Sequence, residues 1–186
     1  MLAGNHTTNS PGQPELEFVE RVINIKRVSK VMKGGKRMRI SASVVVGDGK
    51  GMVGLGHGKA TEVAVAVRKA TARARKDMVR VATKGRTIPH ETWGKFGASR
   101  VIVKPAAQGT GLIACPQVRA VLEAAGLRDA LSKSLGSRNA YNTARATIVA
   151  LAQLRTIDMV ASARNKPVGH FVERASRHEP TESHAG

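Results

Sequence analysis

Two glycine turns set the frame for the first half of the chain. Lys33-Gly34-Gly35-Lys36 and Gly47-Asp48-Gly49-Lys50-Gly51 separate three runs in which apolar residues alternate with polar ones. Alternation is the signature of a strand with one buried face, and a Gly-Gly pair permits the positive φ that a tight hairpin needs. The spacing therefore predicts strands over Phe18–Met32, Arg37–Val46 and Met52–Lys59. The third is unusual, because Gly54, Gly56 and Gly58 alternate with Val53, Leu55 and His57. A helix is expected next, over about Thr61–Val81. Val63, Val67, Ala70, Ala74, Met78 and Val81 recur every three or four residues, which places them on one stripe. Lys69, Arg73, Lys76 and Arg80 recur on the opposite side. Three antiparallel strands backed by one helix is the expected architecture of this half.

The second half changes character. Lys84–Pro89 is a plausible linker, and Thr92–Phe96 and Arg100–Lys104 read as strands around a turn at Gly97. Pro105–Gly111 is a loop. Pro116 opens a helix that Gly126 closes. Residues 127–136 fit helix or strand equally on pattern. Asn142–Leu154 reads as a helix with Ala144, Ile148 and Leu151 inward, and Asp158–Ala163 as one further turn. Residues 1–15 and 161–186 are expected to be flexible tails.

Charge narrows the partner. There are 31 Lys and Arg against 13 Asp and Glu, a net +18. Residues 21–86 hold 18 of the bases and only the acids Asp48, Glu62 and Asp77. A merely solvated surface mixes both signs, so this half is expected to face a polyanion. The five aromatic residues are Phe18, Trp93, Phe96, Tyr141 and Phe171, and none lies between Val19 and Thr92. Readers of single-stranded nucleic acid stack bases on rings. The basic half has no such platform, so it is expected to bind the backbone and shape of structured RNA.

Enzymatic motifs fail on inspection. Gly49-Lys50-Gly51-Met52-Val53-Gly54 spells G-x-G-x-x-G, yet a strand continues where the dinucleotide fingerprint needs a helix. A P-loop ending at Gly58-Lys59 would need Gly at 53 and Ser or Thr at 60; the chain has Val53 and Ala60. The glycines of this strand serve either tight packing or close approach of a nucleic-acid backbone. The six histidines are scattered, and the one cysteine, Cys115, excludes an internal disulfide and reads as a small packed residue. No apolar run approaches the ~18–20 residues of a membrane span. The Gly-containing loop Pro105–Leu112, ahead of a helix, is the one place a phosphate could sit. No cofactor and no metal are expected.

Taken in order, Arg27-Val28-Ser29-Lys30-Val31-Met32-Lys33-Gly34-Gly35-Lys36 and Val45-Val46-Gly47-Asp48-Gly49-Lys50-Gly51-Met52-Val53-Gly54-Leu55-Gly56-His57-Gly58-Lys59-Ala60 resemble the bacterial-type small-subunit ribosomal protein S5 family. Ser99-Arg100-Val101, Pro105 through Gly111, Arg119-Ala120-Val121-Leu122-Glu123 and Arg145-Ala146-Thr147 continue the likeness. The resemblance implies an α+β chain. Residues 16–82 form a double-stranded-RNA-binding-like domain, a three-stranded antiparallel sheet plus one helix. Residues 83–160 form a two-layer α/β domain of β-β-β-α-β-α type, shared with some sugar and mevalonate kinases. It makes Ala130–Leu135 a strand.

The resemblance also implies a non-enzymatic structural constituent of the small subunit that supports translational accuracy, on a cytoplasmic or organellar ribosome. It is neither membrane-bound nor a homo-oligomer. Its expected partners are small-subunit ribosomal RNA, the S4 and S8 proteins, and the nearby messenger entry path. The residues expected to touch RNA are Arg27, Ser29, Lys30, Lys33, Gly34, Gly35, Lys36, Arg37, Lys50, Gly54, Gly56, Lys59, Lys69 and Arg73. Those expected at a protein interface are Gly109, Gly111 and Arg119. The alternatives are a free-standing double-stranded-RNA binder or RNA chaperone and, more remotely, a phosphotransferase.

Overall fold

The computed structural model describes residues 18–169 and 171. Strands β1 (Val19–Met32), β2 (Gly35–Gly47) and β3 (Met52–Ala60) form an antiparallel sheet, followed by helix α1 (Val63–Lys76). The helix stops five residues short of the expected Val81. Asp77 closes it, and the chain turns back as a short strand β4 (Val79–Arg80) paired to Met52 and Val53. Arg80 therefore leaves the basic helix stripe, and the sheet has four strands in the order β1-β2-β3-β4.

The alternating glycines of β3 are explained by α1. Ala66, Ala70 and Ala74 are its buried residues. Four helical residues rise about 6 Å and two strand residues about 6.7 Å, so the two repeats run nearly in step. A Cβ on Gly54, Gly56 or Gly58 would strike the carbonyl oxygen of Ala74, Ala70 or Ala66 in turn. The helix backbone thus lies directly on the strand, with no side-chain layer between them on that line.

The second half follows as β5 (Thr92–Phe96), β6 (Ser99–Pro105), β7 (Leu112–Ile113), α2 (Pro116–Ala124), β8 (Ala130–Gly136), α3 (Ala140–Ala152) and α4 (Ile157–Ala163). Up to α3 this is the expected β-β-β-α-β-α order. The sheet order is β5-β6-β8-β7, antiparallel except for the β7–β8 pair. Residues 130–136 form a strand, as the family likeness implied and pattern alone left open. Helix α3 packs on β5 with the same small-residue device, Gly94 lying against Ala146 and Ala150.

The first sheet is covered on both sides. Val44 and Val46 face α1, while Val45, Val53 and Leu55 join a single core with Val101, Val103, Val118, Leu122 and Leu151 of the second half. Two covered faces account for the unbroken run Val44-Val45-Val46, since alternation marks a strand with only one buried face. At the seam, Gly49 N–H donates to the Ala124 carbonyl at 3.1 Å, and Arg21 pairs with Glu123 at 3.0 Å.

Two sequence expectations are corrected. The supposed linker 84–89 is a packed strap: Ile88 is buried, and the Arg86 carbonyl accepts from the N–H groups of Arg128 and Asp129. The supposed tail from 161 begins inside α4, where Ala161 is buried. Its remainder beyond 171 and the tail 1–15 lie outside the described residues.

Candidate nucleic-acid interface

The β1–β2 hairpin extends well past the core. From Lys26 to Arg39 every residue is exposed on both faces, and six strand residues carry it about 20 Å outward. The closing pair is Met32–Gly35, so the turn itself is Lys33-Gly34, and Gly34 takes a φ of 91°. Antiparallel register sorts the bases onto two faces. Lys30 opposes Arg37 and Val28 opposes Arg39, so these share a face with Lys26; Arg27 and Lys36 point to the other. No acidic residue lies on either arm of the projection.

A second basic surface lies beside it. Strand β4 pairs with only the first two residues of β3, leaving the edge from Gly54 onward without a strand neighbour. Arg73 of α1 covers part of that edge, its guanidinium donating to the His57 carbonyl at 3.2 Å. A cleft of about 410 Å3 opens there, lined by His57, Gly58, Lys59, Lys69, Ala72, Arg73 and Lys76. Lys59, Lys69 and Arg73 were expected; Lys76 completes the group one turn further along the helix. On the other side of His57 a cleft of about 400 Å3 reaches Lys26, Ser41, Ser43, Asn139 and Tyr141. The His57 ring sits 3.2 Å from both the Ser41 and Ser43 hydroxyls, with Tyr141 edge-on at 5.4 Å. Burial, then the charges of Lys59 and Arg73, hold its pKa below the usual histidine value. The ring is therefore neutral at neutral pH.

Three expected RNA contacts are not brought to these surfaces. Gly54 and Gly56 are buried, with α1 on one side and the flanking Val53 and Leu55 in the shared core on the other. They serve packing, and no nucleic-acid backbone can approach them. Lys50 is exposed, but on the turn at the opposite end of β2, about 40 Å from the hairpin tip by strand rise. Lys26, Arg39 and Lys76 belong to the basic surfaces and were missed. The alternation that placed Lys30 also places Lys26, and the helical spacing that placed Arg73 also reaches Lys76.

Gly109, Gly111 and Arg119 do lie together, around β7. Gly109 and Gly111 have φ values of 91° and 74°, with open space where a Cβ would stand. Their N–H groups donate to the Asp129 carboxylate at 3.1 and 2.9 Å. The loop that could seat a phosphate thus already holds an anion from its own chain. Asp129 is buried and bonded to Arg86 at 3.1 Å. The Gly111 N–H, the Arg86 charge and the Gly109 N–H together hold its carboxyl below the usual range, against the opposing effect of burial. Pattern gave no sign of this role, which depends on residues 18–20 positions apart in sequence. Arg119 is exposed and donates to the Leu112 carbonyl at 3.0 Å, which fixes it beside the same loop. Among the described residues, no group of three or more His, Cys, Asp or Glu could hold a metal ion, and no single helix is long and apolar enough to cross a membrane.

Residues 18–82 match the model of the N-terminal domain of ribosomal protein S5, and residues 94–164 match that of its C-terminal domain. A protein of Lawsonia intracellularis named small ribosomal subunit protein uS5 is 51% identical over 154 residues, 83% of this chain and 94% of that protein. A Chloroflexus aurantiacus protein of the same name is 49% identical over 164 residues, 88% of this chain and 92% of the relative. With both family models matched in order and relatives at half identity over nearly their whole length, the chain belongs to the ribosomal protein S5 family.

Proposed function

We propose that the chain is a structural constituent of the small ribosomal subunit, working in the cytoplasm as part of the ribosome and binding ribosomal RNA through two basic surfaces of its first half. The observation that carries this reading is the acid-free hairpin, whose bases project beyond any apolar core. A projection without a core has no fold-stabilising reason to concentrate like charge, and phosphates supply one. The cleft with Lys59, Lys69, Arg73 and Lys76 adds a second cationic surface on the same half. Neither surface carries a Phe, Tyr or Trp ring, which favours contact with backbone and shape over base reading.

The finer assignments divide the labour between the halves. Residues 16–82 supply the two basic RNA-binding surfaces, and within 83–160 the surface around β7 meets neighbouring proteins. Gly109, Gly111 and Arg119 form one surface that fits a protein neighbour, S4 in this reading, with S8 as a further neighbour and the messenger entry path nearby. Asp129 shapes that surface, and its occupation of the Gly109 and Gly111 N–H groups argues for scaffolding rather than phosphate chemistry. The relatives' name does not favour a free-standing RNA binder. Co-sedimentation with small subunits after a high-salt wash tests the proposal. Retention supports it, and release of a folded chain as an independent RNA binder contradicts it.

A further inference from the structure

The second sheet has one uncovered face. Thr92, Gly94, Val101 and Val103 point to the helices and are buried. The alternate positions point outward, and no described element covers them. Cross-strand register arranges them in rows: Trp93, Ile102 and Lys133 in one; Lys95, Arg100 and Leu135 in the next; Lys104 with Leu131 on the other side. Trp93 is 53% exposed in the first of these rows. Its ring is held at one edge, because the indole N–H donates to Glu91 at 3.2 Å, and Glu91 in turn pairs with Lys104 at 3.2 Å. That leaves an indole face presented, already oriented, between cations on both sides.

We propose that this face binds a single-stranded stretch of RNA, with one unpaired base laid on Trp93 and the flanking phosphates on Lys95 and Arg100 to one side, on Lys104 to the other, and on Lys133 across the sheet in the row of Trp93. The composition selects this occupant. Protein interfaces are depleted of Lys, whereas nucleic-acid interfaces are much more positive. Here three Lys and one Arg lie around Trp93 and among the apolar Ile102, Leu131, Leu135 and Ile113 of the same face, and the only acid on it, Glu91, is engaged by Lys104. A flat sheet with an exposed indole cannot reach the stacked bases of a duplex but can receive a splayed one. The site lies on the half that the hairpin does not use, and its mode, stacking, is one the hairpin lacks. The inference therefore stands independently of the hairpin reading.

Trp93 is the only tryptophan in the chain, so its fluorescence reports on this face alone. The experiment titrates a short single-stranded RNA, the matching duplex, and polyglutamate into the full chain. The same titrations are repeated on a chain neutralised at the hairpin by Lys30→Ala, Lys33→Ala and Lys36→Ala. The expected result is saturable quenching by the single strand in both chains, and little by the duplex. In the neutralised chain, Trp93→Leu should weaken binding of a labelled single strand about 5- to 150-fold, the loss expected for one stacked base. Arg100→Ala and Lys133→Ala should each lower the log–log salt slope by about 0.7. Absent quenching, equal quenching by duplex, or equally tight quenching by polyglutamate would overturn the proposal, the last by assigning the face to an acidic protein surface. Loss of quenching on hairpin neutralisation would overturn it as well.

Discussion

Replacing Gly56 by alanine tests the account of how α1 is seated. A Cβ there would lie 1.8 Å from the Ala70 carbonyl oxygen and 2.6 Å from the Ala74 nitrogen. Ordinary carbon–oxygen contact is about 3.3 Å, so helix and strand must separate by about 1.5 Å. Overpacking of a tight core costs about 1–3 kcal/mol. Because the obstacle is helix backbone and no rotamer relieves it, about 3 kcal/mol is expected. For a chain of this size that lowers Tm by about 6–12 °C. Gly34→Ala is the control: it has positive φ but open space, so only backbone strain of about 1–2 kcal/mol applies. The assay is thermal unfolding by circular dichroism. A second arm adds Ala70→Gly to Gly56→Ala. Removing the alanine side chain leaves the carbonyl in place, so no rescue is expected, and a further loss of about 1 kcal/mol follows from glycine in a helix. A Gly56→Ala shift no larger than that of Gly34→Ala, or rescue by Ala70→Gly, would refute backbone-on-backbone seating.

Neutralising Lys30, Lys33 and Lys36 should leave Tm within about 2 °C, since all three are exposed, while reducing the salt slope of RNA binding by about 0.7–0.9 per lost contact. An unchanged slope with normal folding would mean these bases face solvent. Asp129→Asn addresses the loop. The native carboxyl has a depressed pKa, so its contribution is present above the unfolded value near 3.8 and is lost as pH falls through the folded value. Urea midpoints of the native chain should therefore drop on acidification from about pH 5, and the variant should be less stable near neutrality with a flatter profile. His57 also has a lowered pKa. Between its folded value and 6.5 the unfolded chain binds the extra proton, so stability should fall as pH drops below about 6.5, and His57→Gln should remove that decline. Gly111→Arg should raise stop-codon readthrough with subunit incorporation near normal. Its positive φ adds backbone strain as well as bulk, so Arg119→Glu, which has no such strain, is the cleaner probe of the protein interface.

Much of the fold was legible from local pattern. Glycine turns and alternation located β1, β2 and β3 to within two residues, because the turns that bound them are set by local glycine chemistry. The end of α1 was misplaced because Met78 and Val81 continue a helical stripe. Tertiary pairing of Val79 and Arg80 with β3 outweighed it. Gly54 and Gly56 were ambiguous for a definite reason: a glycine that admits a ligand and one that admits a helix look the same in sequence. Only the matching Ala66, Ala70 and Ala74 repeat, read jointly with the strand, distinguishes them. The Asp129 cradle and the shared core across the two halves are long-range features to which no local period points.

The central claim is tested most directly by crosslinking small subunits that carry this chain, after a high-salt wash, and mapping the crosslinked protein positions. The account predicts crosslinks to small-subunit ribosomal RNA concentrated at Lys30, Lys33 and Lys36 of the hairpin and at Lys59 and Lys69 of the α1 cleft, with Lys50 weak or absent. Crosslinks at Lys50 with none at the hairpin or the cleft would contradict it.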